Sequence, residues 1–103
     1  MSGGGAKRQV DDLALYHHEL CGFCQRVRSV LARLGVEVEL RDIRQHPEHR
    51  EALVEGGGKQ MVPCLRISKA DEGDTWLYES ADIIDYLVNR FGDEDRPRAG
   101  GNQ

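Results

Sequence analysis

Cys21 and Cys24 stand in "LCGFCQR" with Gly22 and Phe23 between them. Two thiols at this spacing suit half of a tetrahedral metal site, a structural staple, or a reactive pair that opens and closes. A tetrahedral site needs four ligands, and neither a second Cys-x-x-Cys nor a His-x-x-x-His follows, so redox chemistry is favoured and no metal site is assigned. His17 and His18 precede the pair, but neighbours on an extended chain point to opposite faces and do not readily share one ion. Both are expected to be solvated or modestly packed. The third thiol, Cys64 in "MVPC", reads as a small buried apolar residue.

Three cysteines are too few, and too oddly numbered, for a secreted disulfide framework. A close pair in a reducing compartment is more often catalytic or metal-binding. The chain has 103 residues, room for one domain with one modest core. Fourteen Lys plus Arg against 18 Asp plus Glu give a net charge of −4, which argues against nucleic acid as a partner. No stretch is apolar enough for a membrane span, and "MSGGGAKRQVDD" lacks the apolar core of a secretory signal, so a cytoplasmic protein is expected. Residues 1–12 and 92–103 are rich in Gly and charge and are expected to be disordered tails. The folded domain is expected over 13–91.

Within that domain the apolar period changes in order. "LALY" (Leu13 to Tyr16) reads as a central strand that ends at the cysteine loop. Val27, Val30, Leu31 and Leu34 share one helix face, which Gly35 terminates. "VEVEL" alternates, with Val36, Val38 and Leu40 inward, and reads as an edge strand. Pro47 suits the first turn of a second helix that buries Ala52 and Leu53 and closes at "GGGK". "VPCLRI" and "TWLYE" form a hairpin across "SKADEGD". Ser80 is the expected cap of a last helix with its stripe at Ile83, Ile84, Leu87, Val88 and Phe91. A strand, helix and strand in succession give a right-handed parallel unit, and the hairpin adds antiparallel strands. The fold class is therefore α/β, a four-stranded mixed sheet flanked by helices in the order βαβ-α-ββ-α.

This order sets "CGFC" where a strand's carboxyl end turns into a helix. With "VP" opening the third strand and "YES" leading into "ADIIDYL", the chain from about Leu13 to Phe91 resembles the glutaredoxins, and its last motif looks more like the N-terminal domain of glutathione S-transferases. The resemblance implies a thioredoxin-like fold and glutathione as co-substrate. Cys21, at the expected helix N-cap where free N–H groups and the dipole favour a thiolate, is the expected nucleophile, and Cys24, one turn in, the resolving thiol. Arg26 and Arg28 add positive potential.

The resemblance also implies the glutathione contacts His18, Phe23, Gln60, Met61, Val62, Pro63, Glu79 and Ser80. A lysine often stands in the family where His18 stands, so His18 is expected to act when protonated. Pro63 is expected to follow a cis bond and to leave the Val62 backbone free for glutathione. Glu79 would meet the α-ammonium and Ser80 the γ-glutamyl carboxylate at a helix start. Lys59, Gln60 and Arg44 are candidate partners of the glycyl carboxylate. "CGFC" lies between the "CPYC" of dithiol glutaredoxins and the "CGFS" of monothiol relatives that bind iron–sulfur clusters. The expected activity is a monomeric thiol-disulfide oxidoreductase acting on glutathionylated or disulfide-containing proteins. The alternatives are a carrier of a glutathione-ligated 2Fe–2S cluster and a non-catalytic glutathione-binding module. Transferase activity is expected less, since no all-helical second domain follows within the chain.

Overall fold

Apolar residues run unbroken before the cysteines because the strand they form is buried on both faces. The computed structural model describes residues 8–92. Their elements are β1 (Arg8–His17), α1 (Gly22–Leu34), β2 (Val36–Asp42), α2 (Pro47–Gly57), β3 (Cys64–Lys69), β4 (Gly73–Leu77) and α3 (Ser80–Phe91), the expected order. The sheet order is β2-β1-β3-β4, with β1 parallel to β2 and antiparallel to β3, and β4 antiparallel to β3. No helix among the described residues is long and apolar enough to cross a membrane.

Leu13 and Leu15 of β1 face one core with Val27 and Leu31 of α1 and Ile83 and Leu87 of α3. Ala14 and Tyr16 face a second core with Leu53 of α2, Ile43 and Cys64. The sheet is thus a middle layer, with α1 and α3 on one side and α2 on the other. Burying a side chain such as Leu15 or Leu53 from an exposed state is worth roughly 1.5–3 kcal/mol, so both layers contribute to holding the sheet. Gly35 ends α1 in the left-handed conformation (φ 68°), as expected, and Pro47 opens α2.

β3 begins at Cys64, so Val62 and Pro63, expected to open it, lie in the loop before it, and β4 ends at Leu77, before Tyr78 and Glu79. Three further details differ from the sequence reading. First, β1 begins at Arg8, so residues 8–12, expected as tail, are strand. Residues 1–7 and 93–103, which hold the rest of both expected tails, lie outside the described residues. Gln9 pairs with Glu37 and Ala14 with Glu39, so residues 10–13 bulge opposite Val38 alone. "RQVDD" has little strand propensity. It is held instead by long-range ties: Asp12 to Arg90 through two bonds of 3.0 and 3.1 Å, and the Arg8 guanidinium 5.3 Å from the Phe91 ring. Second, Leu40 is 46% exposed, at the margin of a shallow groove shared with Arg28 and Leu31, where α1 no longer covers β2. Third, α3 starts one residue early: Glu79 is the N-cap, without a side-chain cap bond, and Ser80 is the first helical residue.

Two glycines let α2 lie close to β4. A Cβ on Gly56 would meet the Trp76 ring, and one on Gly57 would meet the Tyr78 hydroxyl. Trp76 in turn packs at 5.6 Å on Tyr16. Gly→Ala in a helix interior ordinarily stabilises by up to about 1 kcal/mol, whereas overpacking costs about 1–3 kcal/mol. Gly57→Ala is therefore expected to lower the urea midpoint, and Tyr78→Phe, by removing the obstructing oxygen, to recover part of that loss in the double variant.

Candidate functional site

Cys21 sits at the junction of β1 and α1. Its backbone is extended (φ −86°, ψ 114°), and its Sγ accepts the Cys24 N–H at 3.1 Å, which makes the thiol itself the side-chain cap of α1. The Cys21 carbonyl accepts from Gln25 at 3.0 Å and opens the helical ladder. No acidic side chain occupies the first turn of α1, so negative charge on Sγ would meet N–H dipoles and no opposing carboxylate there. Arg28 is engaged with Glu19 at 3.7 Å, and Arg26 is exposed.

The three thiols have different surroundings. Cys24 is fully buried, and burial, reinforced by its hydrogen bond to Cys21, pushes its thiol up to about 12. Cys64 is also fully buried, as expected for a core residue, and burial pushes it up to about 12 against a smaller opposing effect of the Tyr78 hydroxyl. Cys21 is only half-buried. Its neighbours Leu20 and Phe23 are 78% and 62% exposed, an apolar flank on the solvent side of the thiol.

Across from Cys21 stands the loop between α2 and β3. The Val62 carbonyl lies 3.9 Å from Cys21 Sγ and accepts from its thiol. The expected cis bond joins Val62 to Pro63, which is buried. Gln60 and Met61 are exposed just before it. The structure thus brings Cys21, Cys24 and Val62 together. His18 is half-buried and turns Nδ1 to its own loop, where it accepts the Leu20 N–H at 3.2 Å. Arg44 lies on the loop after β2, on a cavity shared with Glu19, Leu20, Asp42 and Gln45.

Tyr78, the first residue of "YES", is not among the residues that the sequence points to. Its hydroxyl accepts the Lys59 N–H at 3.3 Å and donates to the Lys59 carbonyl at 3.2 Å. Lys59 Nζ lies 5.5 Å from the Tyr78 ring. Tyr78 therefore clasps both backbone groups of Lys59, at the start of the segment that carries Gln60, Met61 and Val62, and the next residues, Glu79 and Ser80, open α3. Glu79 is exposed and Ser80 half-buried. The first N–H groups of a helix have no intrahelical acceptor, so this end offers donors to an anion. The signal for Tyr78 was a phenol one residue before a helix start, but only the fold shows what it reaches.

His17 differs from expectation. It is 3% exposed, neither solvated nor modestly packed, and burial, with Arg28 beside it, lowers its pKa. By the alternation of β1 it follows Leu13 and Leu15 onto the face that α1 and α3 cover, where Arg28 of α1 is its neighbour. With Cys24 and Cys64 held protonated, brief treatment with iodoacetamide at neutral pH is expected to label Cys21 first. Peptide mapping checks this, and predominant labelling of Cys64 would contradict it.

The model of the glutathione S-transferase N-terminal domain matches residues 15–96. Among solved structures, glutathione S-transferase isozyme E7 of Drosophila melanogaster is 29% identical, with a TM-score of 0.63 over 84% of this chain and 38% of that one. The trimeric glutathione transferase TDR1 of Leishmania is 27% identical, with a TM-score of 0.64 over 86% of this chain and 19% of that one. Glutathione transferase Omega 3C of Trametes versicolor, at 22% identity and a TM-score of 0.66 over 89% and 38%, shares the fold. This chain spans less than half the length of each. No curated protein matches it. A family match over most of the folded residues, on a mixed sheet ordered β2-β1-β3-β4, means that the chain belongs to the glutathione S-transferase N-terminal domain family and has its thioredoxin-like fold.

Proposed function

We propose that the chain is a glutathione-dependent thiol-disulfide oxidoreductase that removes glutathione from protein mixed disulfides. The observation that supports this most is the half-buried Cys21 thiol, capped by the Cys24 N–H and facing the Val62 carbonyl. The names of the related structures, glutathione transferases, support glutathione as the ligand.

In this reading the Cys21 thiolate attacks the glutathione sulfur of a protein–glutathione disulfide. The S–S bond breaks, and the protein sulfur leaves with the electron pair and takes a proton. Cys21 is left joined to glutathione. A second glutathione thiolate attacks that glutathione's sulfur, forms oxidised glutathione and returns Cys21 as thiolate. The N–H groups at the start of α1 stabilise the thiolate that attacks and later leaves. The Val62 backbone pairs with the peptide-like backbone of glutathione, Ser80 and the first N–H groups of α3 take the γ-glutamyl carboxylate, and Glu79 takes the ammonium. Cys24, being buried and protonated, serves only disulfides that need two thiols; its attack on the mixed disulfide is a unimolecular side branch.

Turnover of a glutathionylated peptide with glutathione tests this. Cys21→Ser is expected to reduce the rate to background, while Cys24→Ser retains or raises it. Activity persisting in Cys21→Ser would overturn the assignment. Because the N-cap of α3 is Glu79 and not Ser80, Ser80→Ala is expected to change stability by no more than about 0.5 kcal/mol. Loss of a charge-assisted bond to the carboxylate would instead raise KM for glutathione by roughly tenfold. An unchanged KM with a lowered Tm would give Ser80 a purely structural role.

A further inference from the structure

We propose that His17, Glu19 and Asp42 form a binding site for one divalent transition-metal ion, zinc by the chemistry of its donors. A ring nitrogen of His17 and a carboxylate oxygen from each of Glu19 and Asp42 lie within 4.8 Å of one another. Parallel pairing sets His17 beside Asp42 at the carboxyl ends of β1 and β2, the edge of an open α/β sheet where ligands gather. The Ile43 N–H bonds the His17 carbonyl at 2.9 Å and fixes this junction. Asp42 Oδ1 accepts the Arg44 and Gln45 N–H groups at 2.9 and 3.0 Å, which orients the carboxylate.

The independent sign of a missing ligand is His17 itself. The side chain is 3% exposed, and its Nδ1 has no hydrogen-bond partner among the described residues. An orphaned buried polar group costs about 1–3 kcal/mol, a cost that coordination through Nδ1 would relieve. One imidazole and two carboxylates suit zinc or cobalt(II), not a soft ion such as Cu(I). Zinc bonds of about 2.0–2.2 Å require ligand atoms roughly 3.4 Å apart, so the three groups must draw together. Glu19 can do this, because its side chain is 62% exposed and tied only to Arg28, at 3.7 Å. The Arg28 charge opposes a cation at the site, and the two carboxylates outweigh it. An open cavity of about 200 Å³, lined by Glu19 and Asp42 with Leu20, Arg44 and Gln45, gives the ion an entry path and room for water as fourth ligand. Coordination of Glu19 would tie the loop leading to Cys21 to the strand ends. The site uses none of the thiols.

The test uses the full chain carrying Cys21→Ser and Cys24→Ser, which removes the competing thiol pair. Zinc is titrated by calorimetry, and cobalt(II) by visible absorption. The expected result is one ion per chain and cobalt bands without sulfur-to-metal charge transfer. Glu19→Gln and Asp42→Asn, added singly, are each expected to weaken binding roughly tenfold or more. Glu19 is exposed, so its variant keeps the test valid even where Asp42→Asn loosens the turn. Absence of saturable binding, or an affinity unchanged by Glu19→Gln and by His17→Gln, would overturn the proposal.

Discussion

Burial of β1 on both faces is the constraint on which the rest of the molecule depends. Ala14, Leu15 and Tyr16 have no exposed surface, and alternate residues feed two separate cores. A strand buried in this way needs a neighbour on each edge to satisfy its backbone groups and a helical layer on each face to cover its side chains. Strands β2 and β3 supply the edges, α1 with α3 one face, and α2 the other. The strand's carboxyl end is thereby held, and with it the turn in which Cys21 becomes the cap of α1.

Both sides of the candidate site are anchored to this arrangement. Cys21 is fixed by the bond from the Cys24 N–H, and Cys24 is buried beneath it. On the far side, Tyr78 reaches from the end of β4 to both backbone groups of Lys59, so the approach to Val62 is tied to the second core through a single phenol. The close passage of Gly56 and Gly57 over Trp76 and Tyr78 leaves that phenol its place. The thiol chemistry follows from the same packing, because burial holds Cys24 and Cys64 protonated and leaves Cys21 with solvent access.

Much of this was legible in the residues because it is local. A helix cap is decided by one turn of chain: Cys21 before the α1 periodicity, Gly35 after it and Pro47 at the head of α2 were each readable within a few positions. The element order followed from changes of apolar period, and order with the crossover rule nearly fixes a four-stranded mixed sheet. Cap readings failed where two neighbours competed. Glu79 and Ser80 both suit a helix start, and the one-residue difference depends on where the Ile83 N–H finds its acceptor, which is the Glu79 carbonyl.

The sequence by itself determined the period of each element, the turn residues between them, and the thiol pair's place at a helix start. All of these are set by interactions within a few residues. Tertiary structure alone decided that Arg8–Asp12 is strand, since its stability comes from Arg90, Phe91 and Gly35 far along the chain. It alone left Leu40 in solvent, because the strand's own alternation does not say which of its positions another element covers. It also buried His17, set Asp42 beside it, and gave Tyr78 its clasp on Lys59. Contacts of this kind join residues many positions apart, and no local pattern encodes them: their geometry exists only once both faces of β1 are covered.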